Sequence, residues 1–346
     1  MEREITISEF RERLNRASEK EETLLAANIE ITSFCNFRCP HCYMEGRTCR
    51  HMPFDTFSRV LDELKKLGCL YLTLTGGEAI LHPQFSEIYL KAHKEGFIIS
   101  VFSNGYSLDK VVNLFSKHKP YEVDITLYGI DDATYLENTG LAVGKKVFEN
   151  IALLRKAGVT VSLKACVTKK ILPHLERMRE IAKKNSATFR MDPYVFLSPD
   201  HQNRVERLTP KEIANLLLKD QRYVELVGHD ISNPQNYCKL PYNCKPGTSN
   251  VYITCQEKLK MCPFTSEEHS YDISNATIQQ ARIYLKSLNE ICKNSLKCRD
   301  CDAFSVCKSC PERFCIETGE YNVPPQWMCE TAQLIYKEIK NNIPSK

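Results

Sequence analysis

Short β-prone runs alternate with amphipathic stretches between about residues 26 and 196. Within the amphipathic stretches, apolar residues recur at spacings of three and four, as Phe57, Val60, Leu61 and Leu64 do, which is typical of a helix that buries one face. This spacing predicts helices over residues 55–67, 83–95, 145–156 and 172–184. The β-prone runs predict strands over residues 28–32, 70–75, 98–103, 122–128, 160–167 and 188–196.

Regular alternation of strands and helices predicts parallel strands joined by right-handed crossovers. Six strand–helix units are too few for a closed eight-stranded barrel. We therefore expect an α/β fold built on a partial, TIM-like (β/α)6 barrel. In barrels of this kind the chemistry lies at the carboxyl ends of the strands, so residues that follow each strand are the first candidates for a functional site.

The pattern changes after the sixth strand, and the chain becomes rich in cysteine and turns from about residue 238. A helix is expected to begin at Thr209-Pro210, and a last helix is expected over residues 330–339. We divide the chain into five parts: a helical lead-in (residues 1–24), the barrel (25–197), a bridging segment (198–237), a cysteine-rich domain (238–335) and a tail (336–346).

The charge balance excludes some classes of partner. Lys and Arg number 47 and Asp and Glu number 43, an excess too small to indicate a nucleic-acid partner. The first 22 residues lack the apolar core of a signal peptide, and no run of 18 apolar residues indicates a membrane span. We therefore expect a cytoplasmic protein with no membrane or nucleic-acid partner. In a reducing compartment its 17 cysteines, most of them from Cys238 onward, favour iron–sulfur or zinc sites over disulfides.

Three cysteines follow the first predicted strand at the spacing Cys-x3-Cys-x2-Cys: Cys35, Cys39 and Cys42. Three thiolates can bind three irons of a cubane and leave the fourth iron open to a small molecule. Zinc is the alternative, because thiolates bind it equally well. It would need a fourth ligand, and His41 is poorly placed for that in so tight a turn.

This run resembles the signature of the radical SAM superfamily, Cys-x3-Cys-x-(aromatic)-Cys, with His41 in the ring-bearing position. The resemblance implies a [4Fe–4S] cluster whose open iron chelates the amino and carboxylate groups of S-adenosylmethionine (SAM). It also implies reductive cleavage of SAM to a 5′-deoxyadenosyl radical.

The ends of the next strands resemble the same superfamily. Two glycines allow the backbone to approach a ligand closely, and a carboxylate can accept hydrogen bonds from an ammonium group. The resemblance implies that Gly76, Gly77 and Glu78 hold the amino group of SAM, although Ala79 replaces the usual proline. It places Ser103 and Asn104 near the ribose, Thr126 against SAM, and Lys164 beside the SAM carboxylate.

The C-terminal cysteines resemble the SPASM extension of this superfamily, which implies two auxiliary [4Fe–4S] clusters. The first would use Cys244, Cys262 and Cys310, which we call the first thiol set; the second would use Cys298, Cys301, Cys307 and Cys329, the second thiol set. The fourth ligand of the first cluster stays open between Cys238, Cys255 and Cys315, and we include Cys255 among the expected ligands. Two departures from the pattern are Glu257 in place of a glycine and the shortened spacing from Cys307 to Cys310. By spacing alone, a double zinc site is the alternative.

Residues 124–135 look most like the branch of the superfamily that matures ribosomally made peptides. The resemblance therefore implies a peptide maturase that crosslinks, oxidises or excises part of a precursor peptide. A sulfatase-maturating (formylglycine-generating) enzyme and a non-catalytic iron–sulfur scaffold for electron transfer are the alternatives. Because only about 25 residues precede the first strand, we expect a separate leader-recognition protein, and an electron donor such as flavodoxin or ferredoxin. No catalytic residue can be assigned; Cys166 is either a hydrogen-atom donor or a buried core thiol.

Overall fold

The computed structural model describes residues 23–44, 49–198, 206–232, 242, 244, 247–291, 298 and 300–342. Most of the expected lead-in and the end of the tail therefore lie outside the described residues, as does Cys238. No helix within the described ranges is both long enough and apolar enough to cross a membrane.

The six predicted strands are present and form one parallel sheet with neighbours in chain order. They are β1 (Ala26–Thr32), β2 (Tyr71–Gly76), β3 (Ile98–Ser103), β4 (Glu122–Thr126), β5 (Val161–Cys166) and β6 (Thr188–Asp192). The sheet continues beyond β1 into the C-terminal region. There β7 (Asn250–Ile253) runs parallel to β1, and β8 (Lys258–Lys260) and β9 (Tyr271–Asp272) add antiparallel. The full order is β6-β5-β4-β3-β2-β1-β7-β8-β9.

Helices connect the parallel strands and cover one face of the sheet. In the barrel they are α1 (Phe54–Lys66), α2 (Phe85–Lys94), α3 (Val112–Lys117), α4 (Asp132–Thr139), α5 (Gly144–Lys156) and α6 (Leu175–Lys184). The later helices are α7 (Pro210–Leu217), α8 (Gln221–Ser232), α9 (Ile278–Ile291), α10 (Pro311–Thr318) and α11 (Gln326–Asn342). Short 3-10 turns at 79–81, 108–110, 172–174 and 302–306 complete the connections.

The alternation of side chains along the strands separates a core face from a polar inner face. Ile29, Leu74 and Val101 join the helical residues Phe57 and Leu61 in one buried core. Burial of each such side chain contributes about 1.5–3 kcal/mol. The intervening strand positions carry polar groups on the opposite face, among them Glu30, Asp124 and Lys164. The partial barrel thus presents polar chemistry on its concave side, as its strand order predicts.

The C-terminal region is attached to the barrel by side-chain contacts as well as by β7. Glu317 of α10 accepts two hydrogen bonds from Arg207, at 2.7 and 2.8 Å, and one from the backbone N–H of Leu197 at 2.9 Å. The indole N–H of Trp327 donates to the same carboxylate at 3.2 Å. The carboxylate therefore joins the end of the barrel, the bridging segment and the last two helices.

Candidate functional site

The cysteine loop (residues 35–42) follows β1 and is fastened to the end of β2 by the main chain. The N–H of Gly77 donates to the Thr32 carbonyl, and the N–H of Glu78 donates to the Phe34 carbonyl, both at 2.8 Å. A Cβ atom on Gly77 would lie 2.4 Å from the Phe34 oxygen, too close for any side chain. The two glycines are therefore needed so that the strand end can pack against the chain entering the loop.

Glu78 joins the ends of β2 and β3. Its carboxylate accepts a hydrogen bond from the N–H of Asn104 at 2.6 Å and one from the Ser103 hydroxyl at 2.9 Å, and it is 1% exposed. Burial raises the pKa of Glu78 to about 7, although both hydrogen bonds oppose the shift. The expected contact of this carboxylate with an ammonium group is untested. In this structure its observed contacts position Ser103 and Asn104.

Two amide side chains lie beside the cysteine loop. The Asn104 amide donates to the Asn36 side-chain oxygen at 2.9 Å and lies 3.8 Å from the sulfur of Cys35. The amide nitrogen of Asn36 is buried and has no hydrogen-bond partner among the described residues. A buried donor without an acceptor is costly, so this site fits an anionic or acceptor-rich group held by the thiols.

The thiols of the cysteine loop share one neighbourhood. Burial raises the pKa of the Cys35 thiol to about 11, and Glu78 and Cys42 raise it further. Burial raises the pKa of Tyr128, and the neighbouring thiols of Cys39 and Cys35 raise it further. Tyr128 therefore lies close to the same thiols. Its ring stacks on His41, with centroids 5.7 Å apart. The sequence assigned no role to Tyr128, although its position directly after β4 was a signal.

Lys164 makes an ion pair within the protein. Its ammonium lies 3.0 Å from the carboxylate of Asp124, which is fully buried, and Arg190 contacts the same oxygen at 2.7 Å. Lys164 also lies 3.7 Å from the centre of the Phe102 ring. The two cations, Lys164 and Arg190, outnumber the one carboxylate, Asp124, so this part of the concave face has a net positive charge. Thr126 lies next to it, because Thr126 pairs with Lys164 in the register of β4 and β5. Sequence analysis identified the lysine but missed Asp124 and Arg190.

Cys166 ends β5 close to this group. Burial raises the pKa of its thiol to about 11, Asp192 adds to the shift, Lys164 opposes it, and Cys42 is within electrostatic range. The thiol therefore faces the mouth of the barrel and not the helical core.

The first thiol set comes together from separate segments. Burial raises the pKa of Cys310 to about 12, Arg313 opposes the shift, and Cys262 and Cys244 add to it. Burial is also the main cause of the raised pKa of Cys244, to about 11, and Cys262 is the next cause. These three thiols are therefore within electrostatic range of one another.

The second thiol set is also grouped. Burial raises the pKa of Cys307 to about 12, and Cys329, Cys298 and Cys301 follow as further causes. The side-chain amide of Gln333 donates to the sulfur of Cys301 at 3.5 Å. Cys307 and Cys310 are three residues apart, yet the structure places them in different sets.

Cys255 does not join the first thiol set. Its thiol donates to Glu30 at 3.3 Å, and its pKa is raised to about 12 by burial and by Glu30, with no cysteine contributing. The inclusion of Cys255 among the expected ligands is therefore not supported. Cys315 contacts Tyr321 instead of these thiols. Across the described ranges, no three or more His, Cys, Asp or Glu side chains lie close enough together to hold a single metal ion.

A cavity of about 560 Å³ lies between the cysteine loop and strands β1, β7 and β8. Glu30, Tyr43, Arg50, Tyr252 and Lys260 are among its lining residues. Glu30 is 5% exposed and accepts a hydrogen bond from the Tyr252 hydroxyl at 3.2 Å. The cavity adjoins both the cysteine loop, through Tyr43, and the first thiol set, through Pro263.

Known proteins are similar to this chain over the barrel and beyond it. The model of the radical SAM superfamily matches residues 29–183. A probable GTP 3′,8-cyclase of Sulfolobus acidocaldarius is 33% identical over 146 residues, which are 41% of this chain and 47% of that protein. A PqqA peptide cyclase of Granulibacter bethesdensis is 22% identical over 250 residues, 69% of this chain and 67% of that protein. The chain thus spans about half the length of the cyclase from Sulfolobus.

Solved structures share the fold over nearly the whole chain. Streptococcus suis SuiB bound to S-adenosylmethionine has a TM-score of 0.70 at 15% identity, covering 91% of this chain and 80% of that one. SuiB bound to the precursor peptide SuiA has a TM-score of 0.69 at 12% identity, covering 95% and 82%. Native anSMEcpe with bound AdoMet has a TM-score of 0.69 at 16% identity, covering 92% and 98%. The fold therefore extends through the C-terminal region as well as the barrel.

Proposed function

Because residues 29–183 form a radical SAM domain, we propose that this chain cleaves SAM reductively and uses the radical to modify a ribosomally made peptide. The fold supports the peptide substrate: it is shared, over 95% of the chain, with SuiB bound to the precursor peptide SuiA. The PqqA peptide cyclase matches 69% of the chain and thus reaches beyond the barrel.

The observation that carries the proposal is the grouping of Cys35, Cys39 and Cys42 beside the partnerless amide donor of Asn36. We propose that these thiols hold a [4Fe–4S] cluster, which when bound supplies the electron that breaks a carbon–sulfur bond of SAM. The Cys35 thiol, whose pKa burial raises to about 11, must lose its proton to bind iron, so iron binding and proton release are coupled.

The surrounding residues would bind and orient SAM. We propose that His41 and Tyr128 flank the adenine, and that Asn104 lies near the ribose. Lys164 and Arg190, whose charge Asp124 only partly neutralises, would attract the SAM carboxylate. Thr126 adds a hydroxyl at the same level. Gly76 and Gly77 would hold the cysteine loop in place. The carboxylate of Glu78 would position Ser103 and Asn104 and would also accept a hydrogen bond from the amino group of SAM.

The two C-terminal thiol sets would hold two auxiliary [4Fe–4S] clusters. The second set supplies four thiols by itself. The first supplies three, and we propose Cys238 as its fourth ligand, because Cys255 and Cys315 contact other groups. Such clusters can accept an electron from a substrate radical, which SAM cleavage alone does not require.

The cavity beside Tyr43 and Tyr252 is the proposed entry for the peptide. Its position between the cysteine loop and the first thiol set would bring a bound residue close to both. We also propose a separate leader-recognition protein and an electron donor such as flavodoxin or ferredoxin.

Anaerobic reconstitution followed by incubation with SAM and dithionite tests the first part. We expect 5′-deoxyadenosine and methionine from the wild type and neither from the Cys35→Ala/Cys39→Ala/Cys42→Ala variant, which should lose about a third of some twelve irons. Cys49→Ala, an exposed cysteine outside the motif, is the matched control and should keep full turnover. Zinc in place of iron would contradict the proposal.

Mass spectrometry of candidate precursor peptides co-expressed with this chain tests the second part. A mass change that requires Cys35, Cys39 and Cys42 supports a peptide maturase. Full-rate turnover of a free amino acid or another small metabolite would contradict it.

Oxidation of a Cys or Ser in a sulfatase is the second candidate. It is favoured by the fold shared with anSMEcpe, which was also solved with bound AdoMet and the Kp18Cys peptide, at a TM-score of 0.68. A formylglycine in a co-expressed sulfatase would identify this activity.

A further inference from the structure

We propose that Glu312 is a positioning residue that holds the three thiols of the first thiol set together before iron binds. Glu312 lies on the segment that carries Cys310, and its carboxylate contacts the segments that carry Cys244 and Cys262. The inference rests on the proposed function, since it is a cluster that the gathered thiols would bind. It goes beyond that function by naming the side chain that brings these distant cysteines together.

The carboxylate of Glu312 is buried and has a hydrogen-bond donor at each oxygen. It is 1% exposed, and it accepts hydrogen bonds from the Tyr242 hydroxyl at one oxygen and from the Ser266 N–H at the other, both at 2.8 Å. The buried ring of His269 contacts the first of these oxygens through Nδ1. A buried carboxylate is stable only when its oxygens have partners, so these contacts hold Glu312 and its three neighbours in one arrangement.

Two of the contacting residues are close in the chain to a thiol of the set. Glu312 is two residues after Cys310, which is the N-cap of α10 and accepts a hydrogen bond from the Phe314 N–H at 3.0 Å. Tyr242, which is fully buried, is two residues before Cys244. Their Cα atoms can therefore be no more than about 7 Å apart. A contact between Glu312 and Tyr242 thus keeps the backbone of Cys244 near that of Cys310.

The third segment, from Cys262 to His269, is held by contacts of its own. The Thr265 N–H donates to the Cys262 carbonyl and the Cys262 N–H donates to the Thr265 hydroxyl, both at 3.1 Å. The Ser266 hydroxyl lies 2.9 Å from that of Tyr321, whose ring is 4.5 Å from the ring of His269. Ser266 therefore has a fixed position relative to Cys262, and the contact of Ser266 with the carboxylate also places that thiol.

The need for such a residue follows from the length of chain between the thiols. Cys262 is 18 residues after Cys244, and Cys310 is 48 residues after Cys262. Bringing the ends of such segments together has an entropic cost that rises with their length. Hydrogen bonds to one buried carboxylate offset part of that cost whether or not a metal is bound, so the thiols are already close when iron arrives.

Crosslinking of the iron-free chain tests the proposal without a loaded site. The full-length protein is freed of iron and treated anaerobically with dibromobimane, which bridges two neighbouring thiols, and the bridged peptides are mapped by mass spectrometry. In the wild type we expect bridges among Cys244, Cys262 and Cys310. Tyr242→Phe removes one hydrogen bond to the carboxylate. It should lower the yield of bridges to Cys244 about tenfold and leave the bridge between Cys262 and Cys310 unchanged.

Glu312→Ala removes both acceptor oxygens and should lower every bridge within the first thiol set at least about tenfold. Bridges within the second thiol set should stay unchanged. After reconstitution the variant should hold about eight irons, where the wild type holds about twelve. A loss of bridges in both sets, together with no selective loss in Tyr242→Phe, would mean that Glu312 serves only general stability and would overturn the proposal.

Glu317→Gln is the matched control, since Glu317 is a second buried carboxylate of α10 but contacts Arg207 and Trp327. It should leave the bridges within the first thiol set unchanged. No such bridges in the wild type, or equal yields in the wild type and Glu312→Ala, would overturn the assignment to Glu312. Bridges that depend on Glu312 in a wild-type chain that binds only about eight irons would instead overturn the first auxiliary cluster and keep the positioning role. The two failures are therefore distinguishable.

Discussion

The cysteine loop and the two C-terminal thiol sets are positioned by different kinds of contact. In the loop, three thiols lie within eight consecutive residues, and main-chain hydrogen bonds from Gly77 and Glu78 fasten the chain that enters it. In the C-terminal region the members of the two sets spread over residues 244–310 and 298–329, and the side chain of Glu317 joins α10 to α11, the bridging segment and the end of the barrel. A site that the local backbone positions can be recognised in the sequence as a short, continuous motif. A site that distant side chains position can be recognised only from the intervals between its cysteines.

The two regions also differ in electrostatics. In the cysteine loop, neutral amides lie beside sulfur: the N–H of Phe37 is 3.4 Å and the side-chain amide of Asn104 is 3.8 Å from the sulfur of Cys35. In the first thiol set, the Thr265 hydroxyl lies 4.0 Å from the sulfur of Cys262, and the charge of Arg313 opposes the rise in the pKa of Cys310. Amide donors and a cation both stabilise an anionic group, and the cation does so over a longer distance.

Gly77→Ala is the change that should break the local arrangement most completely. The added Cβ would lie 2.4 Å from the Phe34 carbonyl oxygen and 2.7 Å from that of Ser33, so the cysteine loop must move away from β2. We expect the loss of SAM cleavage and of the loop's share of the iron, with the auxiliary iron retained. Iron analysis and 5′-deoxyadenosine assays measure both.

Gly96→Ala is the control for that change. Gly96 has a φ of +87°, but a Cβ atom added there would have no neighbouring atom within 4 Å, so alanine costs only about 1–2 kcal/mol of backbone strain. It should keep both iron and turnover. Turnover by Gly77→Ala at the rate of Gly96→Ala would mean that close packing of β2 does not hold the loop.

Glu317→Gln should break the distant arrangement. The carboxylate is 6% exposed in its side chain and pairs with Arg207, so the amide leaves a poorly solvated cation. Breaking such a pair costs about 3 kcal/mol. Trp327, which contacts Glu317 and is the single tryptophan of the chain, reports this region by fluorescence. We expect its thermal transition to fall while SAM cleavage by the cysteine loop persists at low temperature.

The exposed carboxylate of Glu180 offers a matched control. It pairs with Arg177 at the surface, and Glu180→Gln should change stability by less than about 1 kcal/mol. Equal transitions for the two variants would show that Glu317 does not join the C-terminal region to the barrel.

Much of the barrel could be predicted from the sequence, because its strands and helices follow local patterns. The expected strands over 98–103 and 188–196 correspond to β3 and to β6, which ends earlier at Asp192. The predicted helix start at Thr209-Pro210 is confirmed: Thr209 is the N-cap, and Glu212 completes a capping box with it. The strands β7 to β9 were missed, because each is four residues or shorter and forms by pairing with its neighbour, β7 with β1, β8 with β7 and β9 with β8. Short segments that pair over long distances leave no periodic signal.

The positions of site residues could be predicted from the sequence where the local backbone determines them. The contacts of a side chain could not be predicted where residues distant in the sequence supply its partners. The thiols of each set lie within electrostatic range of one another, and Cys307 and Cys310 fall in separate sets. Cys255 was expected to join the first set, but the sequence does not show that Glu30, far away in the chain, takes its thiol. Lys164 was found, but its pair with Asp124 depends on the register of β4 and β5.

The pH dependence of stability tests how Glu78 joins the two strand ends. Burial raises its pKa from 4.5 to about 7, so the folded state binds more protons than the unfolded state between these values. The contribution to stability is therefore fully present below pH 4.5 and is lost as the pH rises through 7, by up to about 3 kcal/mol. Unfolding of the protein before reconstitution should show this fall, and Glu78→Gln should lack it.

Glu95→Gln is the control, since Glu95 is partly exposed and its pKa is lowered by hydrogen bonds from Lys65 and Lys91. It should leave the fall in stability unchanged. The same pH profile in wild type and Glu78→Gln would place the titrating group elsewhere.

Glu257 occupies the turn between β7 and β8, at the position where the SPASM resemblance implies glycine, and its φ is +60°. An L-residue in this region costs about 1–2 kcal/mol, but Arg59 contacts the Glu257 carboxylate at 2.7 Å and offsets part of that cost. The pair is partly exposed and contributes less than about 1 kcal/mol.

We compare Glu257→Gly with Glu257→Ala, since both remove the ion pair and only glycine relieves the backbone strain. Glu257→Gly should be more stable than Glu257→Ala by about 1 kcal/mol in urea unfolding, with unchanged iron at the first thiol set. Equal stabilities would show that the turn carries no backbone strain.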